Sequence, residues 1–385
     1  LSGVPHKPAT IADVAELAGV AKSSVSNYLN GQVRVADATA ARISMAITKL
    51  NYRPTAVARS LTTRRRSVLD INRLPPGLPC LTVVGDACIE TIAQIGALPS
   101  SGEHVSAKQI LKVLGGAGAN VAALAAGLGG ELAVSVSLLT SLGYDLDSDW
   151  INSELASRDV IVISSPADPD RRAAQSMVMI ASGAERTVIS EEVDPGQVDL
   201  DGFLSRNEVP VDRRWCLQFD GYHVESALAR ISDIRAAGFL PAMHTAGLSH
   251  ERMDEILEAI LDEFAVVVVS HASLPPDGEG AFIDQLVETS LERGQWPEAV
   301  LVCAGTEGLV AIERGGRSCR VAFPDVAAVD EGGMDDAVAA TFLAAWLNGI
   351  SVSRAISMAA RAAAIVAGSV GSQERRPLVC DLETA

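Results

Sequence analysis

The sequence predicts a small all-α head followed by a larger α/β domain whose mostly parallel sheet is covered by helices on both faces. Three observations carry that prediction. Apolar residues recur at helical spacing between residues 11 and 50. From residue 81 onward, short β-branched runs alternate with Ala- and Leu-rich helical stretches. Charge divides at the same place: residues 1–67 hold ten Lys/Arg against three acids, a net of +7, and the whole chain is −17, which leaves −24 for residues 68–385. A basic head on an acidic body confines affinity for nucleic acid to one end.

In the head, Ile11, Val14, Ala15, Leu17 and Ala18 set out the first helix. Gly19 is placed to end it, because glycine takes positive φ without steric cost. A second short helix carries Ser23, Ser24, Val25, Ser26, Asn27, Tyr28 and Leu29, with Val25 and Leu29 inward and Lys22, Ser23 and Asn27 outward. Two short helices joined by a Gly-containing turn form a helix-turn-helix, whose second helix enters the major groove. The outward side chains are all hydrogen-bonders, as base edges and phosphates require. A third amphipathic helix spans 38–50, and NYRPTAVARSLTTRRR follows.

Composition narrows the class. A chain of 385 residues suggests two or three domains. With 48% hydrophobic residues, the portion beyond the head can bury one large core. The six cysteines (80, 88, 216, 303, 319 and 380) form no C-x-x-C pair and no zinc spacing with histidine. They are expected to be reduced, buried, small apolar residues of a cytoplasmic protein, with no metal site. LSGVPHKPA lacks the apolar core of a signal peptide, and no apolar run approaches the roughly 18 residues of a membrane span, so no membrane partner is expected. Aromatics at 4% argue against a base-stacking single-strand binder.

The Pro- and Gly-rich segment 68–80 reads as a linker. LTVVGD (81–86), VIVIS (160–164), FAVVVVS (264–270) and AVLVCAG (299–305) read as buried strands, separated by helical stretches such as 226–237 and 251–262. Ligands of such sheets bind beyond the carboxyl ends of the strands, which singles out the Gly-Asp at 85–86 and the Ala-Gly after Cys303. In LGGAGANVAALAAGLGG (114–130), Gly115, Gly116 and Gly118 precede a helix from about Ala119. Such a turn permits close backbone approach and presents N–H groups, although by itself it is more often a plain helix start. It is not a P-loop, since no Gly-Lys-Ser/Thr follows. Its spacing, and the lack of a strand just before it, also exclude a dinucleotide fingerprint. In AVDEGGMDDAVAATFLAAWLNG (328–349), Val338, Phe342, Leu343, Trp346 and Leu347 form an amphipathic helix stopped by Asn348-Gly349. Asp335 and Asp336 in its first turn can simply complement the helix dipole. Behind Gly332 and Gly333, the same N-terminus can also hold a transferring phosphoryl group.

Two resemblances follow from these motifs. T-I-x-D-V-A-x-x-A-G-V, S-x-V-S-x-x-L-N-G and Y-R-P-x-A-x-A-R-S-L resemble the head of the lactose-repressor (LacI) family over residues 10–66. That resemblance implies base-reading positions at Lys22, Ser23 and Asn27, and a hinge helix holding Arg59 and Leu61, with Leu61 wedging into the minor groove. It also implies double-stranded operator DNA as partner and a homodimer. Residues 81–377 resemble the ribokinase-like (PfkB) carbohydrate kinases through five motifs in order: V-V-G-D, G-G-x-G-A-N, GAERT (183–187), AVLVCAGTEG (299–308), and a helix start the family writes D-T-T-G-A-G-D. The fold implied is a ribokinase-like α/β domain, 81–385, with a small β lid around 90–110 and 175–190.

By that resemblance Asp336 is the general base toward a sugar hydroxyl, and the N–H groups of Gly333, Met334 and Asp335 form the anion hole. Gly115, Gly116 and Asn120 match sugar-contacting positions, and Asp86, Cys88 and Glu90 lie where the family holds sugar hydroxyls. Gly305 and Gly308 line the nucleotide, and ATP and Mg2+ are the implied cofactors. The departures are as informative. Asp335 replaces a glycine beside the anion hole: a carboxylate facing a phosphate costs roughly several kcal/mol, whereas one turned to solvent costs little. Cys88 and Glu90 replace the Asn and Asp common in ribokinases, and the family's magnesium-organising N-x-x-E falls on Ser270-His271-Ala272-Ser273. The expected function is a sequence-specific DNA-binding regulator of sugar metabolism that binds a sugar and phosphorylates it with ATP. Two alternatives stay open: an inactive kinase-like sensor of sugar or nucleotide, and a sugar kinase with a vestigial head.

Overall fold

The computed structural model describes residues 11–22, 24–25, 39, 42–43, 45–46, 77–164, 171–182, 184, 186–192, 196–275, 278–305 and 308–383. The chain divides into two compact units, Leu1–Arg66 and Ser67–Ala385. In the first, helix α1 (Ile11–Ala18) buries Val14, Ala15 and Ala18, and Gly19 ends it at φ +63°. Leu17, counted with the apolar set, is instead 45% exposed. Val25, Ile43 and Ala46 are buried and Lys22 is exposed, as the helical spacing requires. Ser23, Asn27, Arg59 and Leu61 lie outside the described residues.

The second unit is built on a nine-stranded sheet. Its strands are β1 (Cys80–Val84), β4 (Ser135–Thr140), β5 (Ile161–Ser164), β8 (Trp215–Phe219), β9 (Leu240–His244), β10 (Val266–Val269), β11 (Ala299–Cys303), β12 (Leu309–Ile312) and β13 (Ser318–Val321). They lie in the order β13-β12-β11-β10-β9-β8-β1-β4-β5. All neighbours pair parallel except β11–β12 and β12–β13, which are antiparallel. A separate four-stranded sheet, β3-β2-β6-β7, holds β2 (Cys88–Gln94), β3 (Gln109–Gly115), β6 (Ala174–Ile180) and β7 (Arg186–Ser190), and corresponds to the expected lid. Because β3 runs directly into Gly115, the glycine loop does follow a strand. The hydrophobic pattern of β3 is exposed over its first half, which is why it does not read as a strand in the sequence.

Helices cover both faces of the large sheet. On one face Leu81, Val83, Val136 and Leu138 pack against α2 (Ala117–Gly127), α3 (Leu146–Ala156), α8 (Met334–Leu347) and α9 (Val352–Ala367). On the other, Val84, Leu217, Phe219 and Val267 pack against α4 (Leu200–Arg206), α5 (Val224–Ala236), α6 (His250–Glu263) and α7 (Glu279–Glu292). A short α10 (Val379–Leu382) follows. Burial on both sides explains the continuous apolar runs of β1, β10 and β11. The one polar residue inside β1, Thr82, shares a 2.8 Å hydrogen bond with Ser137 and accepts one from the Trp215 indole at 2.9 Å.

α8 differs from its sequence reading. Every residue from Asp336 to Leu347 is buried, so the helix is apolar all round rather than amphipathic. Small alanines between the large side chains let α2 and α9 approach it closely. The cysteines are all free, but only Cys80, Cys88, Cys216 and Cys303 are buried. Cys319 is half-buried and Cys380 exposed. Among the described residues no helix is long and apolar enough to cross a membrane.

Candidate active site

The chain leaves β1 for β4 and β5 on one side and returns to β8, β9, β10 and β11 on the other. The strand order therefore reverses beside β1, and ligands of open α/β sheets bind in the crevice at that reversal. The carboxyl ends there carry Asp86 after β1, Asp220 after β8, His244 at the end of β9, Ser270 after β10 and Cys303 at the end of β11.

Asp86 is held by its surroundings. Its N–H donates to Asp220 Oδ2 at 2.9 Å, its Oδ1 accepts from the Gly118 N–H at 3.3 Å, and its carbonyl accepts from the Ala119 N–H at 2.9 Å. The start of α2 can come this close because residue 118 has no side chain: a Cβ there would sit 2.7 Å from Gly85 backbone atoms. Burial, with the neighbouring Asp220 adding to it, pushes the Asp86 carboxyl up to about 7. Asp220 is fully buried and accepts from His223 Nδ1 at 2.7 Å. Burial opposes charge on His223, but that bond prevails and holds its pKa above the ordinary value. Tyr222 borders the same group. Its hydroxyl is pushed up to about 12 by burial first, then by Asp86, Asp220 and Cys88.

Asp336 lies in the first turn of α8, 7% exposed. Gly333 delivers the chain into this helix at φ +80°, where a Cβ would also strike Ser372. Asn120 Nδ2 donates to Asp336 Oδ2 at 2.8 Å, and Gln373 Nε2 donates to Asn120 Oδ1 at 2.6 Å. A buried chain Gln373–Asn120–Asp336 thus orients the carboxyl. Burial raises its pKa well above the usual carboxylate range, the Asn120 bond pulls it back, and Asp335, Asp86 and Glu90 add to the rise. His244 Nδ1 stands 3.7 Å from Asp336 Oδ1.

Asp335 takes a different direction from the one its position in the motif suggests. Its Oδ2 accepts from Ser270 Oγ at 2.6 Å and from the His271 N–H at 2.9 Å. The substituted segment 270–273 and the substituted residue 335 therefore bind each other. Met334 N–H donates to Glu331 O at 3.4 Å, a long bond that an incoming anion would have to displace. A cleft of about 680 Å³ is lined by these groups together with Ala117, Ala246, Ala272, Glu279, Cys303, Gly305, Phe323 and Gly333. The Cys303 thiol is pushed up by burial and by Asp335. Gly305 and Gly308 both adopt positive φ, +47° and +87°, and the Gly308 N–H donates to Gly305 O at 3.2 Å. Among the described residues no group of three or more His, Cys, Asp or Glu is arranged to hold a metal ion.

Cys88 and Glu90 stand on the lid strand β2. The Cys88 thiol is buried and its pKa raised by that burial. Glu90 lies over the bare Cα of Gly115 and accepts from Arg186 Nη2 at 2.9 Å. Arg186 Nη1 donates to Asp330 Oδ1 at 3.1 Å, and Asp330 also accepts from the N–H groups of Gly332 and Gly371, both at 2.9 Å. One guanidinium from β7 therefore ties the lid to the loop before α8. Sequence reading missed Arg186, Asp330, Asp220, His223, His244 and Gln373. Arg186 had a signal within the GAERT motif, and Asp330 had one as the first Asp of the segment aligned with D-T-T-G-A-G-D; the others are single residues that the topology gathers.

Residues 10–55 match the bacterial regulatory proteins of the lacI family, and residues 80–237 and 244–378 match the pfkB family of carbohydrate kinases. The HTH-type transcriptional repressor PurR of Vibrio atlanticus is 50% identical over 64 residues, 16% of this chain and 19% of that protein. The ribose operon repressor of Escherichia coli K12 is 51% identical over 53 residues, 14% of this chain and 16% of that protein. The chain therefore spans under a fifth of the length of these relatives. Among solved structures, the Arabidopsis thaliana ribokinase complexed with ribose and ATP has a TM-score of 0.59 at 21% identity, covering 79% of this chain and 97% of that one. The adenosine kinase from Sinorhizobium meliloti has a TM-score of 0.61 at 19% identity, covering 79% and 97%. The ribokinase from Thermotoga maritima has a TM-score of 0.59 at 18% identity, covering 79% and 98%. At these identities the likeness is one of fold.

Proposed function

The chain belongs to the pfkB family of carbohydrate kinases and carries a lacI-type segment at residues 10–55, and on that basis we propose that it is a DNA-binding regulator whose kinase-like domain binds a sugar and phosphorylates it with ATP. The observation that carries the enzymatic part is Asp336: a buried carboxyl in the first turn of a helix, oriented by Asn120 and Gln373 at the switch in strand order. In this reading Asp336 Oδ1 takes the proton of the reacting hydroxyl while the N–H groups of residues 333–335 receive the developing negative charge. Asp86, with Gly115, Gly116 and Asn120, holds the other hydroxyls, and the glycines 305 and 308 leave room for the nucleotide. ATP would supply the phosphoryl group. Magnesium would arrive on the phosphate oxygens with its water, as that ion commonly does, and no side chain here is assigned to it.

The regulatory part rests on the head: Lys22, Ser23 and Asn27 would read the major groove of a palindromic operator, with Arg59 and Leu61 in the hinge and two copies binding together. A second reading is favoured by the Glu90–Arg186–Asp330 tie and by Asp335, which bring charge to places where sugar and phosphate would enter. In it the domain binds sugar or nucleotide without turnover and signals to the head.

An ATP-consumption screen across sugars, run in parallel on wild type and Asp336→Asn, separates the two. Turnover in wild type that the variant loses, with sugar and DNA binding retained, supports the kinase. Equal inertness with every sugar that binds leaves the sensor.

A further inference from the structure

His244 is fully buried, and among the described residues neither of its ring nitrogens has a hydrogen-bond partner. Leaving a buried polar group unsatisfied costs about 1–3 kcal/mol, a cost that an apolar side chain at the end of β9 would avoid. The nearest acidic oxygen is Asp336 Oδ1, 3.7 Å from His244 Nδ1, just beyond hydrogen-bond reach. The other oxygen of that carboxyl is taken by Asn120, so Oδ1 is the atom left for exchange. Asp335 and Asp336 act on the imidazole from α8, and Asp220 acts from the end of β8. Cys303, at the end of β11, faces the same two aspartates of α8.

To act as a base, Asp336 must be a carboxylate when the substrate hydroxyl arrives, so any proton it holds needs an acceptor within reach. We propose that His244 is the positioning residue of a proton-sharing pair with Asp336, taking the proton that Asp336 must give up before it can accept one from substrate. The inference rests on the kinase reading of this site. The steps balance. Asp336 passes its proton from Oδ1 to His244 Nδ1, leaving a carboxylate beside an imidazolium. The substrate hydroxyl gives its proton to Asp336 as its oxygen bonds to the γ-phosphorus and the bond to the ADP oxygen breaks. After transfer the pair holds two protons: one leaves to water from Asp336, which lines the cleft, and accounts for the one proton the overall transfer liberates, while the other stays on the pair. Burial favours the exchange because it works in opposite directions on the two groups. It raises the Asp336 carboxyl and lowers the His244 imidazole, which eases passage of a proton between them. The surrounding carboxylates of Asp335 and Asp220 favour the imidazolium when it forms.

The test uses the full-length protein with isotope-labelled histidine, followed by NMR through a pH titration, with the His244 signal identified by its loss in His244→Asn. In Asp336→Asn the ring loses its acidic partner, so its titration midpoint falls by about one pH unit or more. An unchanged midpoint overturns the pair. A kinetic arm uses His244→Gln, which keeps a polar side chain of similar reach but does not titrate. Turnover should fall about tenfold or more, and its plateau should be reached only at higher pH, with sugar binding unchanged. A Gln variant with the wild-type rate and pH profile shows that His244 only fills space. Should wild type phosphorylate nothing, the kinase reading fails, and the NMR midpoint still decides whether the pair exists.

Discussion

Asp86 shows how a single half-buried carboxyl sets a pH response. Its folded pKa of about 7 lies above the unfolded value of 3.8, so the unfolded chain releases this proton first. Stability is therefore greatest below about pH 4 in this contribution and declines as pH rises through about 7. Asp86→Asn removes the decline: the variant should gain stability over wild type at pH 8 relative to pH 5, by roughly 2–3 kcal/mol, as read from urea unfolding at the two pH values. Asp335 is the opposite kind of acid, one with donors built for it. Asp335→Ala leaves the Ser270 hydroxyl and the His271 N–H without their acceptor and should cost about 1–3 kcal/mol in the same measurement. It also takes a carboxylate out of the cleft, so calorimetry should show tighter nucleotide binding in the variant than in wild type.

At the scale of elements, the lid is tied down through one side chain. Arg186 on β7 reaches Glu90 on β2 and the fully buried Asp330 before α8. Arg186→Met keeps much of the packing volume but leaves two carboxylates without their cation, a loss expected to cost about 3–5 kcal/mol. The effect should be local first: amide exchange should quicken across Arg186–Ser190 and Cys88–Gln94 before the large sheet responds. Uniform exchange throughout the domain would mean that the tie is not what holds the lid. The glycine loop works by the opposite means, through absence of bulk, since α2 can only reach Asp86 over the bare Cα of Gly118.

For the whole molecule, charge is the organising quantity. A head of +7 on a body of −24 should bind duplex DNA through counterion release, with the logarithm of affinity falling by roughly 0.9 per neutralised phosphate for each tenfold rise in salt. Electrophoretic mobility shifts across a salt series check this, and deletion of residues 1–67 should abolish binding. Affinity that ignores salt, or survives the deletion, would remove the head from the mechanism.

Periodicity and local motifs were enough to reach the head, the parallel sheet and the placement of Asp336 at a helix start, because each is a local pattern along the chain: apolar spacing, β-branched runs, glycines before a helix; the lid was reached only through the family resemblance. The same local view misjudged α8, where burial on every side hides behind alanines, and β3, half of whose pattern faces solvent. It also left Asp335 between phosphate and solvent, and the structure turns it to neither but to Ser270 and His271. What only the tertiary structure decided is the company these residues keep. His244 and Asp336 are far apart in sequence, as are Arg186 and Asp330, and Asn120 and Gln373, and none of these pairs leaves a periodic trace. A pattern along the chain records which face a residue turns to the core. Which other face it meets there depends on the order of the strands, and that order is settled by packing the whole sheet at once.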